Sequence, residues 1–548
     1  MRRLFALTLA LGIVCGLAAV SFHALIDVVE RHLLAPAVAQ PLLLRGLWLT
    51  ALLGSVGLVV GALLVSTFPY ARGSGIPEVK YEFATTPGPR LSTKTIIGKF
   101  LLGTLSIGAG FSLGREGPTV QITAGLGAIL ARLTRQGPRV EQSLVCVGAA
   151  AGIAAAFNTP IAAITFALEE IVGSLNQRLL GGIVVATVAA AVVEHALVGG
   201  HPVFAVPQYA LRQWWELIGY SVLGVFAAVA ATVFVKSVLW MRGAVRGWSG
   251  CPAWAKPGVG GVLVALLGTP FPAVLGIGYT TLSTALLGQL PMTTMAALSM
   301  VKLAATVVSY AWGLAGGIFA PSLYIGGMLG GALGAGIQRW VPANPNLVGS
   351  FALVGMGAFF AGAIRAPITS IMIIFEMTGD YAIILPLMIA NVISYTLAAR
   401  WQPTPIYDAL LKQDGLHLGD HDMSAFRQLS VGRAMTDAVV TAGPAEPAAT
   451  ALGRVRDLGV NALPVVDSAG VLSGIVSRKD LERAAGDGTV ETVMTAPVIT
   501  VFVDENLDAA LVRMGRHAIR QLPVVERNQP QRVVGIIALK DIGVHART

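Results

Sequence analysis

A polytopic α-helical membrane protein with a smaller α/β tail is the fold class this sequence predicts. Three observations predict it. Of 548 residues, 55% are hydrophobic and only 12% are charged, about half the charge of an ordinary soluble protein. Apolar runs of about 18 or more residues recur, as at 43–68, 179–198 and 217–235. Each is long enough to cross a hydrocarbon core of about 30 Å. Past Ala399 the texture changes to short β-rich runs and amphipathic helices.

The chain opens MRRLFALTLALGIVCGLAAVSF. A basic start before an apolar run also suits a secretory signal. Here the apolar stretch runs on to about Val29 without a clear cleavage signal, so it reads as a first membrane helix. Arg2 and Arg3 favour a cytoplasmic start.

The membrane part repeats itself. At an offset of 203 (276 − 73), Gly73 meets Gly276, Lys99 meets Lys302, Ser106 meets Ser309, Gly114 meets Gly317 and Pro118 meets Pro321. Further on the offset is 207 (367 − 160), pairing Gly148 with Gly355, Pro160 with Pro367 and Glu169 with Glu376. In a chain with 64 glycines, glycine matches are cheap, but lysine, proline and glutamate matches in one frame are not. Transporters often consist of two such halves around a midplane site where helices break.

Three segments carry helix breakers beside polar residues: GSGIPEV at 73–79, GREGPTV at 114–120 and GIFAPSL at 317–323. Proline suits the first turn of a helix, and glycine lets the backbone bend and approach a ligand. The residues Gly73, Gly75, Pro77, Gly114, Arg115, Gly117, Pro118, Gly317 and Pro321 therefore read as helix N-termini inside the membrane. Broken backbone at that depth is tolerated only where it is buried or lines a cavity. Free N–H groups at the positive end of a helix dipole make an anion site. Each segment alone also reads as a surface loop; three together, two at matched positions, favour the site.

Glu116 stands in the first turn of such a helix. A carboxylate at the bilayer centre costs about 2.5–3.5 kcal/mol or more, which the helix N-terminus partly offsets. An anionic side chain in an anion site competes with a transported ion, and protonation lets it leave. Glu116 is thus a candidate gate and proton carrier, while Arg115 is expected to reach a loop or pair locally. FALEE supplies Glu169 and Glu170 at the end of an apolar helix. Glu376 matches Glu169, but Met377 stands opposite Glu170, which points to a role in one half only.

The tail begins near residue 415 and also repeats. Met435-Thr436 is echoed by Met494-Thr495, the run 463–466 (LPVV) by 522–525, and Asp480 by Asp541. Each copy, about 426–486 and about 487–548, reads strand, helix, strand, strand, helix. One copy alone buries little core, so two should pack together. From residue 421 onward there are 14 Lys+Arg and 14 Asp+Glu, so the net charge of +9 lies wholly upstream. A neutral tail carries no nucleic-acid footprint. The basic excess suits lipid headgroups and anion attraction. Cys15, Cys146 and Cys251 are scattered, neither a disulfide framework nor a metal cluster. No nucleophile–base set, P-loop or metal-ligand cluster marks an enzyme, and no metal is expected.

Over residues 1–415 the motifs GSGIPE, GREGP and GIFAP resemble, in order and spacing, the anion-site motifs of the CLC family of chloride channels and chloride/proton antiporters. The resemblance implies a homodimer with one pore per subunit, each subunit built of two inverted halves with broken, tilted helices, roughly 1–200 and 201–415. It implies that Ser74 and Tyr407 offer hydroxyls to chloride and that Ile318 and Phe319 offer backbone N–H groups. Glu116 matches the gating glutamate, and Glu170 the inner proton glutamate of antiporter members. Serine in GSGIP points to chloride. A short cytoplasmic N-terminal helix of some relatives is expected to be lacking.

Residues 416–548 resemble a CBS pair, which often binds adenine nucleotides. SRKD, from Ser477 to Asp480, fits the nucleotide signature; ALKD, from Ala538 to Asp541, keeps the aspartate and lacks the hydroxyl. A ligand-free dimerising tail is the alternative. The functional expectation is exchange of chloride for protons in a bacterial inner membrane, the tail being cytoplasmic and no cofactor required. A chloride channel of the same family and a nucleotide-sensing membrane regulator are the alternatives.

Overall fold

The computed structural model describes residues 2–85, 88–173, 177–199, 204, 215–340, 346–416, 429–484, 488–517, 519–539 and 541–542. The chain divides into two compact units, Met1–Leu418 and Gly419–Thr548.

The first unit is helical. Its first half contains α1 (Arg2–Val29), α2 (Leu42–Ser66), α3 (Ile76–Ala84), α4 (Thr93–Gly108), α5 (Glu116–Leu133), α6 (Pro138–Phe157), α7 (Pro160–Phe166) and α8 (Gln177–Val198). Its second half contains α9 (Glu216–Gly247), α10 (Lys256–Gly268), α11 (Tyr279–Leu286), α12 (Met292–Ala311), α13 (Phe319–Gln338), α14 (Leu347–Ile364), α15 (Pro367–Thr378) and α16 (Ile384–Trp401), followed by α17 (Ile406–Gln413). Nine segments of the described residues are long and apolar enough to span a membrane. Only helices and closed barrels satisfy the backbone in lipid, and apolar runs of this length choose the helix. The two short helices α7 and α15 begin at matched prolines, Pro160 and Pro367. Proline at N1 forfeits no hydrogen bond there.

The halves match element by element. Helices α3, α5, α7 and α8 start at residues 76, 116, 160 and 177; their counterparts start at 279, 319, 367 and 384, the offsets seen in the sequence. Packing repeats too: α1 lies on α8 as α9 lies on α16, and α5 on α6 as α13 on α14. Glycines allow the close approach. A Cβ at Gly148 would strike the Thr123 carbonyl, and one at Gly355 the Gly326 carbonyl, at matched positions.

Two contacts show that the halves are inverted. Gly114 and Gly317, equivalent residues, form an antiparallel bridge in which each N–H donates to the other's carbonyl at 2.7 Å. A bridge between equivalent residues, run in opposite directions with equal bonds, places a pseudo-two-fold axis between them. The glutamates agree. Glu169, on the π-helical turn 167–172 that extends α7, accepts the N–H groups of Ile368 (3.1 Å) and Thr369 (2.7 Å) at the start of α15. Glu376, on α15, accepts those of Ile161 (3.0 Å) and Ala162 (2.6 Å) at the start of α7. Each helix caps the other's beginning from near its own end, so they run antiparallel.

The matched lysines also gain a physical reason. Both are fully buried. Lys99 donates to the Gly73 carbonyl at 2.8 Å, and Lys302 to those of Gly276 (2.7 Å) and Val274 (3.0 Å). Each ammonium gathers the carbonyls of the bent segment before α3 or α11, which a broken helix would otherwise leave unsatisfied.

The second unit contains α18 (Val431–Ala434), α19 (Ala448–Asp457), β1 (Ala462–Val466), β2 (Leu472–Ser477), α20 (Arg478–Arg483), α21 (Val490–Val493), β3 (Val501–Phe502), α22 (Leu507–His517), β4 (Gln521–Glu526) and β5 (Gln529–Ala538). Strands β1 and β2 pair antiparallel, as do β4 and β5, while β3 adds parallel to β4. The expected first strand of the first copy shrinks to a single parallel bridge, Ala442 to Val465. The repeated Met-Thr pairs join the copies. Thr436 bridges Ile536 of the second copy, and Thr495 bridges Ile475 of the first. Met435 packs on Gly535 and Met494 on Gly474, where a Cβ would strike each sulfur.

Candidate anion site

The three broken segments meet. Gly73 donates to the Leu314 carbonyl at 2.9 Å and accepts from the Gly316 N–H at 3.0 Å, while Gly114 and Gly317 exchange bonds beside them. This irregular strip holds GSGIP, GREGP and GIFAP together, with α3, α5 and α13 each beginning from it. Their starts bring Gly73, Gly75, Pro77, Gly114, Arg115, Gly117, Pro118, Gly317 and Pro321 into one region. Each N-terminus carries roughly +0.5 of an elementary charge.

Glu116 is the first residue of α5 and is fully buried. Its Oε2 accepts the Ala320 N–H of α13 at 3.3 Å, and its Oε1 accepts the Tyr279 hydroxyl at 2.8 Å. The carboxylate thus stands at a helix N-terminus, where a free anion would bind. Gly114 makes the room: a Cβ there would lie 2.5 Å from Glu116 Oε2. The Arg115 guanidinium lies 5.7 Å from the centre of the Tyr279 ring, a local cation–π contact.

Ser74 and Tyr407 are both fully buried. Neither hydroxyl reaches hydrogen-bond geometry with a described residue, although the two lie close enough to interact. Buried hydroxyls ordinarily have partners, so this pair keeps hydrogen-bonding capacity to spare. Tyr407 is placed by α17, which packs on α3, the helix that follows Ser74. Ile318 caps α13 and Phe319 opens it, so their N–H groups have no intrahelical acceptor. The Phe319 ring is wedged among Phe157, Phe166 and Phe360, with centroids 5.1, 5.9 and 4.5 Å away.

Glu170 lies on the turn after α7 and is 4% exposed. Its carboxylate is 2.9 Å from Lys80 Nζ, which is also 2.6 Å from Asp408. Asp408 follows Tyr407 on α17 and is about one-quarter exposed. A chain of charge therefore runs from a partly exposed aspartate to a buried glutamate.

Residues 56–399 match the family model described as voltage gated chloride channel, and residues 431–487 and 490–542 match the CBS domain model. The chain belongs to the CLC family. It is 32% identical over 389 residues to a ClcB-like chloride channel protein of Ralstonia nicotianae, covering 70% of this chain and 89% of that one. It is 33% identical over 412 residues to the H(+)/Cl(-) exchange transporter ClcA of Cronobacter sakazakii, covering 73% and 87%. The crystal structure of a eukaryotic CLC transporter shares the fold, with a TM-score of 0.68, 20% identity and 98% of each chain covered. This CLC protein is an integral membrane protein with a CBS pair.

Three polar partners in this CLC site escaped the sequence reading: Tyr279, Lys80 and Asp408. Tyr279 carries a trace of signal. It follows GIG, the counterpart of GSG, and stands opposite Ile76 in the repeat. Lys80 and Asp408 are ordinary charges in the sequence; the packing of α3 on the 167–172 turn brings Lys80 to Glu170, and that of α17 on α3 brings Asp408 to Lys80.

In the second unit a cavity of about 1150 Å³ is lined by Ser477, Arg478, Lys479, Asp480 and Arg520 among others. Ser477 donates to Asp480 at 2.5 Å, and their capping box starts α20. Asp541 accepts the Ala538 N–H at 2.9 Å; it is not among the residues lining this cavity.

Proposed function

We propose that this protein exchanges chloride for protons, with Glu116 as gate and outer proton carrier and Glu170 as inner proton donor. The observation that carries the reading is the Glu116 carboxylate seated as an anion at the start of α13. Protonation removes the charge that holds it there. The freed N-termini and the hydroxyls of Ser74 and Tyr407 then accept chloride, gripping it through partial charges so that it can leave. Glu170, buried on the turn that extends α7, relays the proton between Glu116 and the solvent-facing side. The relative from Cronobacter sakazakii bears the name of such an exchanger.

A channel is the second reading. The Ralstonia nicotianae relative is named a chloride channel protein. Purified protein in liposomes decides between them. A chloride gradient alone should drive proton uptake, and Glu170→Ala should abolish that uptake while chloride still moves. Chloride flux without proton uptake in the wild type overturns the exchanger reading in favour of the channel.

The finer assignments belong to the same proposal. Exposed Leu47, Val192 and Ile368 suit contact with lipid tails. Family membership supports a homodimer, and Arg2 and Arg3 support a cytoplasmic tail in a bacterial inner membrane. The cavity beside Asp480, with an aspartate for a ribose and Arg478, Lys479 and Arg520 for phosphates, fits one adenine nucleotide. Asp541 leaves a second site without support.

A further inference from the structure

We propose that Tyr279 is the latch of the Glu116 gate: a positioning residue that holds the carboxylate in the anion site and sets how acidic the medium must be before transport begins. The inference rests on the gating role proposed for Glu116.

The geometry is specific. Tyr279 is the first residue of α11, and its hydroxyl donates to Glu116 Oε1 at 2.8 Å. The opposite oxygen takes only the longer 3.3 Å bond from Ala320. A phenol at 2.8 Å is thus the closer of the two donors described on the carboxylate. The ring is held from two sides. The Phe204 ring meets it edge-on at 5.5 Å, and the Arg115 guanidinium lies over it at 5.7 Å. A ring fixed in this way presents its hydroxyl without further ordering cost. Glu116 is fully buried, and Tyr279 is half-buried as a whole residue.

A hydroxyl donating to a carboxylate stabilises the charged form. It therefore opposes both protonation of Glu116 and its departure from the site. The other titratable groups near Glu116 include Arg115 just before its own helix, Tyr407 of α17, and three groups that face Arg115: His23 of α1, whose ring meets Thr119 at 3.3 Å, Glu30 of the segment after α1, and Glu194 of α8. None of these has a hydrogen bond to the carboxylate among the described residues. The repeat explains why the latch exists once. The matched position in the first half is Ile76, which has no hydroxyl.

The test is Tyr279→Phe, which keeps the ring contacts and removes only the oxygen. Chloride and proton fluxes are measured in liposomes across the acid-to-neutral range, with Tyr279→Phe also placed in a Glu116→Ala background. A hydrogen bond to a charged group shifts the closed-to-open ratio by roughly ten- to 150-fold. The expected result is a chloride flux raised by about that factor at neutral pH, acid activation that sets in at higher pH, and an unchanged proton-to-chloride ratio. In the Glu116→Ala background Tyr279→Phe should have no effect, because the residue acts through the carboxylate. An unchanged pH profile, a lowered flux, or the same change in the Glu116→Ala background overturns the latch. A wild type that moves chloride without protons defeats the exchanger reading alone, since the pH dependence of chloride flux still reports on Tyr279.

Discussion

Ser74 and Tyr407 present two buried hydroxyls that satisfy each other poorly, and this predicts how chloride is held. Ser74→Ala removes one donor and should weaken chloride binding by roughly fivefold, about the worth of one neutral hydrogen bond; calorimetric titration with chloride reads it directly. Gly114 makes a second residue-scale prediction. An alanine Cβ would lie 2.5 Å from Glu116 Oε2 and 3.0 Å from the Ala320 nitrogen. Gly114→Ala should therefore disfavour the seated carboxylate and flatten the pH dependence of chloride flux. A flux that keeps the wild-type acid dependence would show that the gate does not need this space. Glu116 and Ser74 were legible in the sequence because GREGP and GSGIP surround them, whereas Tyr407 lies in none of the three motifs and came from the resemblance alone. Tyr279 was not legible, because its partner is 163 positions away and only folding brings them together.

At the scale of elements, helix ends dominate. Glu169 makes three bonds at the start of α15, including one from the Thr369 hydroxyl at 2.6 Å, while Glu376 makes two at the start of α7. Removing a cap costs about 0.5–2 kcal/mol, and more where no water replaces it. Glu169→Ala should thus lower the apparent melting temperature in detergent more than Glu376→Ala. The α9–α17 joint makes a pH prediction. Arg242 and Arg246 both pair with Asp414, Arg242 at 2.9 Å. Burial alone would raise the Asp414 carboxyl, but the two guanidiniums outweigh it and hold the group below the ordinary carboxylate range. A depressed value adds stability that is present above the unfolded value of about 3.9 and lost as pH falls through the folded one. Melting of wild type against Asp414→Asn should therefore differ above about pH 4 and converge below it. Element positions were largely legible, since apolar length and proline placement act locally. The pairing of caps was not: Glu169 and Glu376 looked like equivalents in a repeat, and the structure makes them reciprocal partners.

At the scale of the whole molecule, both units are duplications that close on themselves. In the membrane unit the Gly114–Gly317 bridge marks the axis, and in the tail the exchanged Met-Thr bridges do. Duplication explains why the broken segments meet in the membrane unit and why a cavity opens between copies in the tail: the ends that one copy leaves unsatisfied are met by the other. For the tail this predicts nucleotide binding at one aspartate. Adenosine phosphates titrated into the full protein should bind, Asp480→Ala should abolish binding, and Asp541→Ala should leave it intact, since Asp541 is not among the residues lining the cavity. Equal loss in both variants would move the site elsewhere in the tail.

The sequence by itself determined the membrane class, the two duplications, the family and the three helix N-termini, because hydropathy, repeat offset and glycine–proline spacing are properties of neighbours along the chain. The inversion of the halves, which the repeat alone does not show and the resemblance only implies, is visible in the tertiary structure, and that structure alone decided the reciprocal caps of Glu169 and Glu376 and the partners of Glu116 and Glu170. Tyr279 over Glu116, and Lys80 and Asp408 beside Glu170, are contacts between segments far apart in the chain. No local pattern encodes them, since each side chain is chosen by what the other segment brings to it.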